Sequence, residues 1–417
     1  MQVDLTGKSV LLGVTGSISS YKACDLARLF IKAGANVHVI MTPGSERFVS
    51  ALTFEALTRN PVLTEDAESW SSKLNHIDIG KLCDVFVIAP TTANTLNKLS
   101  QGIADNILTQ TVLAFKGEVL IAPAANTQML ANHYTSESLQ QLKAANYTLI
   151  ESQEKLLACG DTGNGALAEP SEIFFHVAKS LLKEPYWEKR NIVVTGGGSR
   201  EKIDEVRYLS NFSSGKMAKA LCLALFFKGA KVHYIHSMGT EGLPLTIRQD
   251  GFEDANALLA LTQKSLNTAK TESKKESTSE PYLFMVAAVA DFTPQTPKKG
   301  KVKKSSLGKE WDIKLTQTPD ILSSLDKSGI KTIGFKAEMD SQKGLGNAVN
   351  LLTQKNVDAV CYNLLKDAKS FGGDTNEITF ITKDSQTSLG RSDKLSLAFK
   401  ILDEAKKLST QNHKEIE

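Results

Sequence analysis

Three residues in this chain of 417 have side chains and settings suited to chemistry. Cys159 lies in Ala158-Cys159-Gly160-Asp161-Thr162-Gly163-Asn164-Gly165, a glycine-rich loop, and loops expose thiols that cores hide. His76 lies in Asn75-His76-Ile77-Asp78-Ile79-Gly80, just before a polar helix start. Asn126 follows Pro123-Ala124-Ala125, straight after an apolar strand. Together they offer a thiol, a base and a neutral hydrogen-bonding amide. Each also has an ordinary alternative: a surface histidine, an inert small cysteine and a turn asparagine.

Other segments have the composition of anion sites. Gly13-Val14-Thr15-Gly16-Ser17 joins an apolar strand to a helix start. Backbone N–H groups and the positive end of a helix can hold an anion there. The turn is not the GxGxxG dinucleotide fingerprint. Fewer glycines and more hydroxyls suit one terminal phosphate, as in a mononucleotide such as FMN, although Gly/Ser turns also arise for conformational reasons alone. Pro90-Thr91-Thr92-Ala93-Asn94-Thr95 and Gly102-Ile103-Ala104-Asp105-Asn106 also sit where strands meet helices. Helix capping explains each singly, whereas several at the ends of one sheet favour a shared ligand site. A second opening, Asn191 to Lys202, repeats the strand and glycine turn with Gly196-Gly197-Gly198-Ser199, and Ser213-Ser214-Gly215-Lys216 begins another helix. Two such openings in one chain predict two catalytic domains.

The elements that position these residues follow from the pattern of apolar runs. Strands are predicted at Ser9–Val14, Asn36–Met41, Val85–Ala89, Glu118–Ala122 and Thr148–Ile150, with helices such as Tyr21–Ala33 and Leu139–Ala144 between them. Short apolar strands alternating with helices mean a parallel sheet covered on both faces. The second half repeats this with strands at Ile192–Thr195, Lys231–Ile235, Tyr282–Ala287, Thr332–Phe335 and Ala359–Tyr362, and helices at Gly215–Lys228, Ala255–Lys264 and Leu345–Lys355. The break Glu184-Pro185-Tyr186-Trp187 and the charged Glu188-Lys189-Arg190 place the boundary there, giving domains 1–189 and 190–417. Residues 265–280 are polar and low in complexity, and are expected to form a mobile surface excursion. Residues 293–304, TPQTPKKGKVKK, suit either a solvated charged loop or a flap over polyphosphate.

Composition is that of a soluble globular protein, with 41% apolar and 23% charged residues and a net charge of +3, so no broad basic surface calls for nucleic acid. Apolar runs are too short to cross a bilayer, and the opening MQVDLTGK has no signal-peptide core. The five cysteines form no CxxC pair, which argues against a disulfide framework or structural zinc and fits a reducing cytoplasm.

The strings GVTGSISSYK, HIDIGKLCD, APTTANTLNKLSQGIADN, PAANTQM, ACGDTGNGAL, TGGGSREKIDEVRYLSNFSSGKM, AAVADF and GFKAE occur in the order of one family. The chain resembles the bifunctional coenzyme A biosynthesis proteins, a phosphopantothenoylcysteine decarboxylase fused to a phosphopantothenate–cysteine ligase, from about residue 7 to 405. The resemblance implies two Rossmann-like three-layer α/β domains, a flavodoxin-like flavoprotein domain and a ligase domain. It also implies FMN, Mg²⁺ with ligands unassigned, CTP, 4′-phosphopantothenate and L-cysteine as small-molecule substrates, and a homo-oligomer, a dodecamer. A regulatory flavoprotein is disfavoured by the retained His76, Cys159 and ligase half. A nicotinamide oxidoreductase is disfavoured by the absence of GxGxxG.

By the same resemblance, His76 works at thiol oxidation and decarboxylation, Asn126 clamps the substrate carboxylate, and Cys159 gives the proton for the final reduction. Gly16, Ser17, Thr42, Thr91, Thr92, Asn94, Asp105 and Asn106 would hold the flavin. Asn211 would serve the attack of cysteine on an acyl-cytidylate, and Lys301 would contact the phosphates. Asp291, Asp320, Ile321, Phe335 and Lys355 would bind the nucleotide. Two departures stand out: Ala125 replaces a family methionine in Pro-x-Met-Asn-x-x-Met, and Leu351 stands where relatives often carry lysine. Lys336 is the neighbour able to replace that lost cation.

Overall fold

The computed structural model describes residues 3–156, 160, 162–237, 239–303, 310–340, 343–364 and 372–411. The chain divides into two compact units, one ending at Leu182 and the other starting at Lys183.

The first unit is a parallel sheet of β1 (Ser9–Val14), β2 (Asn36–Met41), β3 (Val62–Leu63), β4 (Val85–Thr91), β5 (Glu118–Pro123) and β6 (Thr148–Leu149), in the order β3-β2-β1-β4-β5-β6. Near-continuous Val/Ile/Leu runs form these strands because helices cover both faces. Leu11, Phe86, Ile88 and Ile121 pack one face against Leu96, Leu108 and Leu142. Helices Ser20–Lys32 and Pro170–Leu182 meet through Phe30 and Phe174, whose rings lie 5.5 Å apart. Strand order reverses between β1 and β4, and in such sheets the crevice at that switch point is where ligands bind. A hairpin, β7 (Gln153–Leu156) with β8 (Thr162–Ala166), follows β6.

The second unit contains β9 (Asn191–Gly196), β10 (Glu201–Lys202), β11 (Tyr208–Leu209), β12 (Lys231–His236), β13 (Arg248–Gly251), β14 (Tyr282–Met285), β15 (Phe292–Pro294), β16 (Leu315–Gln317), β17 (Lys331–Glu338), β18 (Ala359–Leu364), β19 (Thr375–Ile381) and β20 (Gln386–Asp393). Its main sheet runs β13-β12-β9-β14-β17-β18-β19-β20. It is parallel as far as β18, and β19 and β20 then add an antiparallel hairpin. Its switch point lies between β9 and β14. The minor pairs β10–β11 and β15–β16 stand apart from the main sheet.

The structure corrects one expectation. Residues 265–275 are not a surface excursion; they continue one helix, Ala255–Lys275, capped by Asp254 accepting from the Ala257 N–H at 2.8 Å. Leu258, Thr262, Ser265, Leu266, Ala269 and Ser273 are buried at helical spacing. Small Ser, Thr and Ala residues make that inward stripe, so the segment reads as polar although it packs. Leu258 and Leu266 are fully buried, each contributing about 1.5–3 kcal/mol. The stretch around the expected boundary is also core: Trp187 is fully buried, and the Arg190 guanidinium lies 4.2 Å over the Tyr186 ring while donating to the Glu280 carbonyl at 2.7 Å. Among the described residues no helix is long and apolar enough to cross a membrane.

Candidate functional site

In the first unit, the loops after β1, β2, β4 and β5 enclose a cavity of about 560 Å³, within the usual range for small-molecule sites. Gly16, Ser17, Thr42, Thr92, Asn94, Asp105 and Asn106 all line it. Thr91 does not: it is fully buried and its Oγ1 donates to the Ile88 carbonyl at 2.7 Å, turning it into the sheet. The β1 and β4 loops are tied together by Thr15, whose Oγ1 donates to the Pro90 carbonyl at 2.7 Å and accepts from the Thr92 N–H at 3.0 Å. Thr92 caps helix Ala93–Ser100, and Asn106 forms a capping box with Thr109 on helix Ile107–Ala114. Capping and cavity lining therefore coincide in these residues.

Sequence reasoning missed Lys98 and Gly44, which also line the cavity. Lys98 follows Asn94 by four residues, one helical turn, and that spacing was the available signal. Its ammonium pairs with Asp105 at 2.6 Å, and this hydrogen bond holds the Asp105 carboxyl below its ordinary range. Gly16 and Gly44 touch backbone to backbone, so a Cβ on Gly16 would stand 2.9 Å from the Gly44 carbonyl carbon. The lining fits a flavin mononucleotide: hydroxyls, loop N–H groups and one ammonium for a phosphate, and Ala93, Ala124, Ala125 and Met129 as apolar contacts. Overpacking of this kind costs about 1–3 kcal/mol. Gly16→Ala should accordingly weaken flavin retention by about 10-fold or more, read as flavin absorbance per purified chain. Wild-type flavin content would show that the glycine contact does not shape the site.

His76 and Asn126 do not line this cavity. His76 Nδ1 lies 2.7 Å from Glu68 Oε1, and Trp70 meets the ring edge-on at 5.7 Å. A carboxylate only accepts, so Nδ1 carries the proton and Nε2 is the basic nitrogen. Asn75, fully buried, accepts from the Ile77 and Asp78 N–H groups at 3.0 and 2.9 Å and fixes the turn that presents His76. Glu68 lies in an irregular polar stretch with no periodicity to single it out. Asn126 caps helix Thr127–Ala131 by accepting from the Gln128 N–H at 2.8 Å; its chain neighbours Ala125 and Met129 line the cavity, whereas Asn126 does not. Cys159 lies outside the described residues.

In the second unit two cavities share a wall. One, about 590 Å³, is lined by Asp291, Asp320, Ile321, Phe335 and Lys355, together with Lys336 and Leu351. The other, about 150 Å³, is lined by Gly197, the Ser213–Lys216 helix start, Asn363 and Lys394, and again by Phe335 and Lys336. The glycine turn thus borders the smaller cavity. Its position is set by the β14 loop: Ala288 N–H donates to the Gly197 carbonyl at 2.9 Å and Ser199 N–H donates to Ala288 at 3.1 Å. Lys355 pairs with Asp320. Burial works to raise the Asp320 carboxyl, but hydrogen bonds from Lys355 and Ser323 outweigh it and hold it below its ordinary range. Asn211 Nδ2 donates to the Val289 carbonyl at 2.8 Å, which fixes the amide beside the same loop. Lys301 is exposed in the loop after β15. Cys361 lines the smaller cavity, where burial pushes its thiol well up and leaves it inert. Among the described residues no cluster of His, Cys, Asp or Glu is placed to hold a metal ion.

Comparison with known proteins follows this division. The Flavoprotein family model matches residues 1–182, and the DNA/pantothenate metabolism flavoprotein C-terminal domain model matches residues 187–408. The chain is similar to the Coenzyme A biosynthesis bifunctional protein CoaBC of Bacillus subtilis (strain 168), with 38% identity over 98% of each chain. It is 34% identical to the protein of that name from Vibrio cholerae, covering 96% of this chain and 98% of the relative. A crystal structure of the C-terminal domain of a CoaBC protein is 26% identical, covers 55% of this chain and 100% of that chain, and superposes with a TM-score of 0.42.

Proposed function

The chain belongs to the family of the coenzyme A biosynthesis bifunctional proteins, and on that premise we propose how its two units divide two consecutive reactions. The second unit joins 4′-phosphopantothenate to L-cysteine at the expense of CTP. The first removes the carboxylate of the resulting amide in a flavin-dependent reaction that yields 4′-phosphopantetheine. The observation that carries this reading is the gathering of hydroxyls and amides at the switch point of the first sheet, and of Asp291, Asp320, Phe335 and Lys355 around one cavity beside β14 and β17 in the second.

In the ligase step the substrate carboxylate attacks the α-phosphorus of CTP, the bond to pyrophosphate breaks, and an acyl-cytidylate forms. The cysteine amine then attacks the acyl carbon and CMP leaves. Charge spreads over phosphate oxygens in the first step, which calls for cations and N–H donors around them. Lys301, Lys336 and Lys355 are the cations proposed for this, and Mg²⁺ would arrive with the triphosphate, as that ion commonly does. Lys336 borders both cavities and is held by Glu338 at 3.2 Å. Bordering both supports its assignment as a shared phosphate contact, one that offsets the apolar Leu351. Lys336→Gln should slow CTP-dependent pyrophosphate release by about 10- to 100-fold, the range for losing a charge-assisted hydrogen bond. Unchanged steady-state kinetics would return Lys336 to the surface.

Bound flavin supplies the electron sink that decarboxylation of an acylated cysteine otherwise lacks. The chain's own groups do the rest. His76 Nε2 moves the proton at the thiol end, Asn126 holds the departing carboxylate through a neutral amide, and Cys159 returns a proton. Assembly of copies of this chain in the cytoplasm, a dodecamer by resemblance, belongs to the same proposal. The exposed Tyr21, Trp70, Leu82 and Phe212 are apolar groups it would cover. The test supplies 4′-phosphopantothenate, cysteine, CTP and Mg²⁺ and identifies the product by mass. Expected are 4′-phosphopantetheine, pyrophosphate and CO₂; a colourless protein that makes no CTP-dependent product would overturn the reading.

A further inference from the structure

The hairpin that leads to Asn211 and the loop that carries Lys301 meet on one carboxylate. Asp204 lies in the turn between β10 and β11, and its side chain is fully covered. Its Oδ1 accepts the backbone N–H groups of Val206 and Arg207 at 2.9 and 2.8 Å. Its Oδ2 accepts Arg207 Nε at 3.0 Å and Nη2 at 2.5 Å, and also the backbone N–H of Val302 at 3.2 Å. Arg207 Nη2 in turn donates to the Val302 carbonyl at 2.9 Å. Both backbone polar groups of Val302, the residue after Lys301, are therefore taken by this pair. Lys298 N–H donates to the Ile203 carbonyl at 3.0 Å, and the Arg207 guanidinium lies 4.6 Å over the Trp311 ring.

An ordinary turn would need only the two local N–H groups. The reach to Val302, 98 residues away, does nothing for the turn and everything for the loop. That loop holds Lys298, Lys299, Lys301 and Lys303 and no acid between them. Like charges so close repel one another and their neighbours, so the two backbone bonds from Val302 to the Asp204–Arg207 pair are what hold the loop in place against that repulsion. The hairpin, through β11, also leads straight into Ser210 and Asn211. We propose that Asp204 and Arg207 are positioning residues of the ligase reaction, setting Lys301 through Val302 and Asn211 through the hairpin so that the two stand in register. This inference rests on the ligase reading above.

The test uses full-length Asp204→Asn, which keeps the shape but loses the charge, and Val302→Pro, which removes one N–H donor and leaves Asp204 and Arg207 intact. In both, decarboxylation of supplied 4′-phosphopantothenoylcysteine should be unchanged. Tryptic cleavage after the lysines of residues 298–303 should quicken about 10-fold, and KM for CTP should rise by about 10- to 100-fold, as for a lost hydrogen bond to a charged group. Combining Asp204→Asn with Lys301→Gln should be no worse than Lys301→Gln alone, because residues acting through one another are not additive. Wild-type cleavage and KM in either folded variant, or additive losses in the double variant, would overturn the proposal. Should Asp204→Asn fail to fold, Val302→Pro decides alone. A wild-type enzyme without CTP-dependent pyrophosphate release would sink the ligase reading instead, and the cleavage comparison would still judge the anchor.

Discussion

His76→Asn should purify with its flavin and full ligase activity, yet release CO₂ from 4′-phosphopantothenoylcysteine about 10²- to 10⁴-fold more slowly, the range for losing a positioned acid–base group. The argument starts from Glu68. Its Oε1 lies 2.7 Å from Nδ1 and also accepts the His76 backbone N–H at 3.3 Å, so ring and backbone are held by one carboxylate. That arrangement commits the ring to Nε2 as its basic atom. The Asn75 turn prevents the backbone from rotating away. An asparagine amide keeps the polarity and much of the reach of the ring but cannot take up a proton. Because His76 does not line the cavity of its own unit, its loss should leave flavin content intact, and this separates a catalytic role from a flavin-holding one. Glu68→Gln is the graded companion: its amide no longer demands a proton on Nδ1, so a smaller fall of about 10-fold is expected. Should His76→Asn retain more than about a tenth of the wild-type rate, the base must be sought elsewhere.

How much of this was legible beforehand depends on what kind of signal each part leaves. The strands of both parallel sheets announce themselves as Val/Ile/Leu runs, since burial on both faces leaves no choice of residue. Gly16, Ser17, Thr92, Asn94 and Asn106 were readable because loops at strand ends need small, capping residues, and those residue types stand out. Thr91 stands one step off the cavity lining, because adjacent positions in extended chain point to opposite faces. The continuation of helix Ala255–Lys275 escaped notice because its inward stripe is built from Ser, Thr and Ala, whose burial depends on a close neighbour that only the fold provides. β19 extends the sheet from β18 and pairs with β20, and the Thr, Ser, Glu and Arg residues set among their few inward apolar groups leave no long apolar run. Glu68, Lys98 and Asp204 share a different obscurity. Each acts on a residue of another segment, and sequence spacing does not reveal such a partner.

Gly165→Ala should abolish most decarboxylation, by about 100-fold or more, without emptying the flavin site. Strand period two puts Gly163 and Gly165 on one face of β8, and both are buried while Thr162 and Asn164 point outward. That face lies on the segment containing Asn126. A Cβ at Gly165 would fall 2.1 Å from the Ala125 carbonyl oxygen, and one at Gly163 would fall 2.2 Å from Thr127 Oγ1. The strand is also bonded there, with Ala125 N–H donating to the Gly165 carbonyl at 3.1 Å. At Gly165 the obstruction is backbone, so rotating a side chain cannot relieve it and the hairpin must lift. Lifting it moves β8 off the segment that carries Asn126, the residue proposed to hold the departing carboxylate. Misplacement by about 1 Å is enough to cost about 10²-fold in rate. Asn164→Ala is the control: the residue lies between the two glycines, its Oδ1 merely accepts from Ser152 at 2.8 Å on the outer side, and its loss should change the rate less than about twofold. Measured CO₂ release near wild type in Gly165→Ala would mean that the hairpin's seat on Ala125 does not govern the chemistry. Equal losses in Gly165→Ala and Asn164→Ala would point to general loosening of the hairpin, and only the asymmetry between inward and outward positions supports a seat built for proximity.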